Sequence, residues 1–230
     1  GTLGIQSDVF ARDDGLTTPD PADLHADLAH LAENGVDHLA LEASSHGLDQ
    51  HRLDGLRINA GAFTNLSRDH LDYHGSVDAY LAAKRRLFDD LIVDGGAAVI
   101  NADDPHGPDM IAAAQARHLR VRTYGERGVD IKLLSTRPEA KGQHLGLLVD
   151  GVEHSLFLPL AGHFQAMNAL CALGLAEVTG TEAAAALKAL ESLTGAPGRM
   201  EWIGETPEGA VVYVDYAHTP DALENVLSAL

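Results

Sequence analysis

Residues 63–88, FTNLSRDHLDYHGSVDAYLAAKRRLF, place Arg68, Asp69, His70, Asp72, His74, Lys84, Arg85 and Arg86 in one loop and one helix-forming stretch. Imidazoles and carboxylates at alternate positions can hold a divalent cation, but the same spacing also builds a polar turn of hydrogen-bonded side chains. Lys84, between an apolar face and two arginines, is either a solvated lysine or a lysine held near a metal. In the second case burial and adjacent cations lower its pKa, and the neutral amine can take up carbon dioxide as a carbamate, an oxygen ligand suited to Mg²⁺. Glu42 closes the apolar run DHLALEAS, a costly place for a carboxylate unless it is salt-bridged or metal-bound. Thr17, Thr18 and EASSHGLDQHR supply hydroxyls and Arg52 for a phosphate or carboxylate, although Thr-Thr-Pro is also ordinary turn chemistry.

Alternating helices and strands must position these groups. DPADLHADLAHLAENG reads as an amphipathic helix, with Asp20 as cap, Pro21 at the first position, Leu24, Leu28 and Leu31 on one face, and Gly35 as stop. In SVDAYLAAKRRLF, Ser76 can cap a second helix. DHLALEAS, INAGAFTN and GAAVINAD are short apolar runs of the kind found in buried parallel strands. The expected fold is α/β, a doubly wound, mainly parallel sheet whose ligands sit beyond the carboxyl ends of its strands. That rule predicts that Glu42, Asn65 to His70 and Asn101 to Asp104 meet at one sheet edge. HLGLLVDGVEHSLFLPL predicts an antiparallel hairpin turning at Asp150-Gly151. Two Ala/Leu-rich helices follow, ending at Gly180 and Gly195, and GAPGRM then breaks the chain. A boundary near Pro197 divides residues 1–197 from 198–230, where AVVYVDY and a helix capped by Thr219 begin another, Rossmann-like unit. The opening GTLGI lacks an initiator Met and the last helix has no sequel, as expected of a piece of a longer protein.

Composition narrows the function. A 45% hydrophobic and 22% charged chain of 230 residues is that of an ordinary globular protein. Its formal charge of −18 repels bulk nucleic acid, while a small anion such as a nucleotide can still bind where local Arg, Lys, backbone N–H groups or Mg²⁺ override the field. One cysteine, Cys171, rules out an intrachain disulfide and reads as a buried structural thiol. No run approaches the ~20 apolar residues of a membrane span and no secretory leader is apparent, so a cytoplasmic location is expected.

Taken together, LEASSHGLDQHRL, FTNLSRDHLDYHG, AYLAAKRRLF, INADD, GRME at 198–201 and VDYAHTPDALENVL resemble the Mur ligases of peptidoglycan synthesis, in order and spacing, across nearly the whole chain. The resemblance is strongest to members that add the third amino acid to UDP-N-acetylmuramoyl-L-alanyl-D-glutamate. It implies an ATP-dependent amide-forming ligase acting through an acyl phosphate, with meso-diaminopimelate or L-lysine as the incoming amine. By the same resemblance Thr17, Thr18, Ser44, Gln50 and Arg52 hold the muramoyl nucleotide, Glu42, His70 and a carbamylated Lys84 form the Mg²⁺ site, and Asn168, Arg199 and Asp215 contact ATP. Leu16 and Gln165 depart from the family, which usually has Asn at both positions. The Gly-Lys-Thr or Gly-Lys-Ser phosphate loop and the Asp-Asn-Pro-Arg segment do not occur in these 230 residues. The isolated chain is therefore expected to be inactive, and ADP release above background with both substrates present would overturn that expectation. Two other readings compete: a catalytically dead nucleotide-sugar-binding remnant, which binds without turnover, and a metal-dependent hydrolase using His70, Asp72 and His74, which needs no ATP.

Overall fold

The structure, a computed structural model, describes residues 1–12, 15–66 and 70–228. Arg68 and Asp69 of the charged cluster lie outside the described residues. Apolar runs that do not alternate build the main sheet: Ala97, Ala98, Val99 and Ile100 are all fully buried, as in a strand covered on both faces. Six strands, β1 (Ile58–Phe63), β2 (Ile92–Asn101), β3 (Arg120–Gly125), β4 (Ile131–Glu139), β5 (Gly142–Val149) and β6 (Val152–Leu158), lie in chain order across it. β2, β3 and β4 pair in parallel, and β4, β5 and β6 antiparallel. The expected α/β sheet with an antiparallel portion is thus present. Asp150 and Gly151 turn the β5–β6 hairpin with φ of 49° and 82°, left-handed at both central positions, as a two-residue hairpin of primed type requires.

One expected strand is not found. Residues 36–44, including DHLALE, form no strand, and Leu39 is 52% exposed. An apolar run becomes a buried strand only when neighbouring strands satisfy its backbone on both sides, and no described strand does so here. Glu42 is accordingly exposed rather than closing a buried strand.

The chain forms two compact units, one of Gly1–Asn59, Leu66–Gly96 and Ala112–Leu119, the other of Ala60–Asn65, Ala97–Ile111 and Arg120–Leu230. In the first, α1 (Pro21–Glu33) begins at its proline, buries Leu24 and Leu31, and ends before Gly35 at φ 83°; Asp20 caps it in position but makes no side-chain bond. The short helices α2 (Ser45–Asp49) and α3 (Leu71–His74) pack on α4 (Val77–Arg86), which runs into a π-helical turn at Leu87–Leu91. Ser76 Oγ accepts from Ala79 N at 3.1 Å, the expected cap. Arg86, 19% exposed, ties α4 to Asp54 (2.7 Å), Asp90 (3.2 Å) and the Leu48 carbonyl. Arg85 pairs with Asp89 at 3.2 Å.

α5 (Gly107–Ala116) connects β2 and β3 in the chain. In the second unit, α6 (His163–Val178) and α7 (Ala183–Leu190) join Val99, Tyr124, Ile131, Leu147 and Leu158 in one apolar core. Gly174 sets the approach of α6, because a Cβ there would lie 2.7 Å from Val99 Cγ1 and 3.3 Å from Ile131 Cδ1. Cys171 is buried, and burial pushes its thiol pKa up, as expected of an inert structural cysteine. β7 (Glu201–Glu205) and β8 (Val211–Val214) form a small antiparallel sheet, followed by α8 (Pro220–Ser228), whose cap Thr219 accepts from Ala222 N at 3.3 Å. Among the described residues no helix is long and apolar enough to cross a membrane.

Candidate functional site

The candidate groups fall into two sets, one in each unit. In the first unit Thr18, 1% exposed, is the hub. Its Oγ1 donates to the Glu42 carbonyl (2.9 Å), accepts from Ser44 N (3.0 Å) and lies 3.0 Å from Ser44 Oγ. Ser44 in turn caps α2, accepting from Gly47 N at 3.1 Å. Gly47 must be glycine for this contact, since a Cβ would come within 2.7 Å of the Thr18 side chain. Arg52 Nη1 donates to the Thr18 carbonyl (2.9 Å) and its Nη2 to Gln50 Oε1. Gln50 Nε2 donates to Tyr73 Oη at 3.0 Å, and that hydroxyl donates to Asp49 at 2.8 Å. Four of the five predicted substrate contacts therefore share one hydrogen-bond network, with Thr17 adjoining Thr18 in the same bend. Tyr73 completes the network and was not singled out from the sequence, although it stands in the motif DYHG.

Lys84 and His70 both flank Tyr80: the ammonium lies 5.2 Å from the ring centroid and the imidazole centroid 6.1 Å from it. Tyr80 is 5% exposed, so its ring is a fixed neighbour of both. His74 stacks on the same ring at 5.0 Å, and His46 meets His70 (4.9 Å), Tyr73 (4.1 Å) and His74 (5.5 Å). Burial, then the charges of His46, His70 and Lys84, hold the His74 pKa below its ordinary value against the pull of Asp49. His74 Nε2 lies 3.0 Å from Ser45 Oγ. His74 is thus a packed, hydrogen-bonded imidazole. The Glu42 carboxylate accepts from Thr2 N (3.4 Å) and Thr2 Oγ1 (3.2 Å).

Among the described residues no group of three or more His, Cys, Asp or Glu is placed to hold a metal ion, so His70, Asp72 and His74 do not form a hydrolase-type site. The set Glu42, His70 and Lys84 contains only two ready ligands. A carbamate on Lys84 would add oxygen donors of the kind Mg²⁺ prefers.

In the second unit the three predicted nucleotide contacts are linked through the Arg199–Met200 main chain. Asn168 Nδ2 donates to Gln165 Oε1 at 3.4 Å, Gln165 Nε2 donates to the Arg199 carbonyl at 2.9 Å, and Asp215 Oδ2 accepts from Met200 N at 2.8 Å. Asp215 Oδ1 accepts from Ala217 N at 2.7 Å, so the carboxylate closes its own loop as well. Gln165 is 6% exposed, whereas Asn168 and Arg199 are exposed. Also in this unit, Asn101 Nδ2 donates to the Thr64 carbonyl at 2.7 Å, joining the ends of β1 and β2.

Comparison with known proteins matches the Mur ligase middle domain model to residues 1–176 and the Mur ligase, glutamate ligase domain model to residues 198–230. The chain is 53% identical over 230 residues to UDP-N-acetylmuramoyl-L-alanyl-D-glutamate--2,6-diaminopimelate ligase of Agrobacterium fabrum, covering 100% of the chain and 47% of that relative. The ligase of the same name from Caulobacter vibrioides is 52% identical over 236 residues, with 100% and 49% coverage. A solved structure of a ligase of this name superposes with a TM-score of 0.85 at 37% identity, covering 100% of this chain and 47% of that one. Mycobacterium tuberculosis folylpolyglutamate synthase, complexed with ADP and AMPPCP, gives a TM-score of 0.62 at 25% identity over 75% of this chain and 39% of its own. The chain spans about half the length of the curated relatives it matches.

Proposed function

The chain belongs to the Mur ligase family, and from that premise we propose that the full-length protein joins meso-diaminopimelate to UDP-N-acetylmuramoyl-L-alanyl-D-glutamate with hydrolysis of ATP to ADP and phosphate. The observation that carries this reading is the identity of about half the residues over the whole chain to relatives of that name. Residues 1–197 then belong to the central domain and 198–230 open the C-terminal one. Nucleotide substrates and ATP place the reaction in the cytoplasm.

In this reading Arg52, Gln50, Thr17, Thr18 and Ser44 orient the muramoyl nucleotide, the arginine and hydroxyls matching its anionic groups. Their own network holds them before substrate arrives, which reduces the ordering cost of binding. Asn168 faces adenine, Arg199 the phosphates and Asp215 the ribose. The γ-phosphoryl group passes to the substrate carboxylate with release of ADP, and the incoming amine then attacks the acyl phosphate and expels phosphate. Glu42, His70 and the Lys84 carbamate would hold Mg²⁺, whose contribution is to offset phosphate charge. Tyr80 limits where the Lys84 side chain can lie.

The test uses full-length protein with ATP, Mg²⁺ and the muramoyl dipeptide nucleotide. Phosphate release should require diaminopimelate and be weak with L-lysine; equal use of lysine overturns the amine assignment. Lys84→Ala should lose most activity and regain part of it with added formate or acetate, whose oxygens replace those of the carbamate. Wild-type activity in that variant would remove Lys84 from the site.

A further inference from the structure

Two carboxamides one helical turn apart on α6 carry an inference that rests on the nucleotide reading above and extends it. A carboxamide side chain has two orientations differing by exchange of its oxygen and nitrogen, and its hydrogen bonds decide between them. At Gln165 the choice is forced. The Arg199 carbonyl only accepts, so the group 2.9 Å from it must be Nε2, and Oε1 is turned the other way. There Oε1 meets the carboxamide of Asn168 at 3.4 Å, a long contact, but one that only Nδ2 can satisfy. The orientation of Asn168 therefore follows from a main-chain carbonyl through one intervening side chain.

The burial of the two residues suits the two tasks. Gln165, 6% exposed, cannot exchange these bonds freely with water, and Asn168 is open on its outer side. With Nδ2 held toward Gln165, Asn168 keeps Oδ1 and the second Nδ2 hydrogen for a ligand. That pair complements the amino group and N7 acceptor on one edge of adenine. The matching edge of guanine offers two acceptors, of which the held carboxamide serves only N7 and turns Oδ1 on O6.

We propose that Gln165 is a positioning residue that fixes the Asn168 carboxamide in one orientation and joins it to the Arg199 segment, so sharpening the preference of the site for adenine over guanine nucleotides.

Full-length protein carrying Gln165→Met, which keeps the volume and loses both bonds, would be compared with Asn168→Ala and with the double variant. The readout is the ratio of kcat/KM for ATP to that for GTP, which a loss of stability alone does not move. Gln165→Met should lower that ratio by about twofold, because a carboxamide free in two orientations presents the adenine-matching one half as often, while either orientation serves one guanine acceptor. The double variant should show no lower ratio than Asn168→Ala, because Gln165 acts on the base only through Asn168. If Gln165→Met keeps the wild-type ratio while Asn168→Ala loses it, the proposal fails and the nucleotide reading stands. If Asn168→Ala itself leaves both the KM for ATP and the ratio unchanged, the nucleotide reading fails with it. Should the Met variant not fold, Gln165→Ser removes the same two bonds with less apolar bulk and carries the same expectations.

Discussion

Thr18 concentrates the stakes of single residues in the first unit. Its hydroxyl makes contacts with three groups at 2.9–3.0 Å while almost wholly buried, so Thr18→Val keeps the shape and leaves buried partners unmatched. The expected cost is about 1–3 kcal/mol in chemical denaturation. Gly47→Ala should act on the same contact from the other side, by steric displacement of Thr18. A second residue-scale case is Glu177 near the end of α6. Its side chain is 9% exposed and lies 2.9 Å from Arg122, yet neither oxygen has a partner in hydrogen-bonding geometry. Burial raises its pKa above the usual carboxylate range and outweighs the pull of Arg122, with Asp150 and Asp130 adding to the rise. A raised carboxylate pKa means that its protonated form favours folding. That stability is full below the unfolded value near 4.5 and is lost as pH rises through the folded value. Glu177→Gln should therefore gain in melting temperature over the wild type as pH goes from 4 to 7, with Asp150 still pairing Arg122 at 3.2 Å. A constant difference across that range would refute the assignment.

At the scale of elements, sequence reading succeeded where local chemistry and tertiary packing agree. Pro21, Ser76 and Thr219 mark helix starts that the structure contains, and Asp150-Gly151 marks the hairpin turn. It failed at DHLALE, whose apolarity suits a strand but whose backbone finds no described ladder. It also did not anticipate β4, because IKLLSTRPE is mostly polar after Leu134 and takes its strand form from pairing with β5. The close seat of α6 on the sheet yields a direct test. Gly174→Ala improves helix propensity by roughly 1 kcal/mol yet drives a methyl into Val99. Overpacking of about 1–3 kcal/mol should win, giving a lower denaturation midpoint; a higher one would mean that α6 can lift away freely.

For the molecule as a whole, charge is the dominant collective property. With 34 acidic against 16 basic residues, self-repulsion opposes compaction, and the individual surface ion pairs are each worth little. Raising NaCl from about 10 to 300 mM should shorten the screening length severalfold and raise the melting temperature; a fall would show that ion pairs outweigh the net repulsion. The amino-acid sequence was enough for family and fold class, because these reside in residue type, order and spacing. It was also enough for helix caps and the hairpin turn, which depend on contacts within a few positions. Tertiary structure alone decided that Thr18, Ser44, Gln50 and Arg52 share one network, that Lys84 and His70 flank Tyr80, and that Gln165 links Asn168 to Arg199. Those bonds join residues up to 34 positions apart, and a side chain's partner at that range is set by how the backbone packs, which no local pattern encodes.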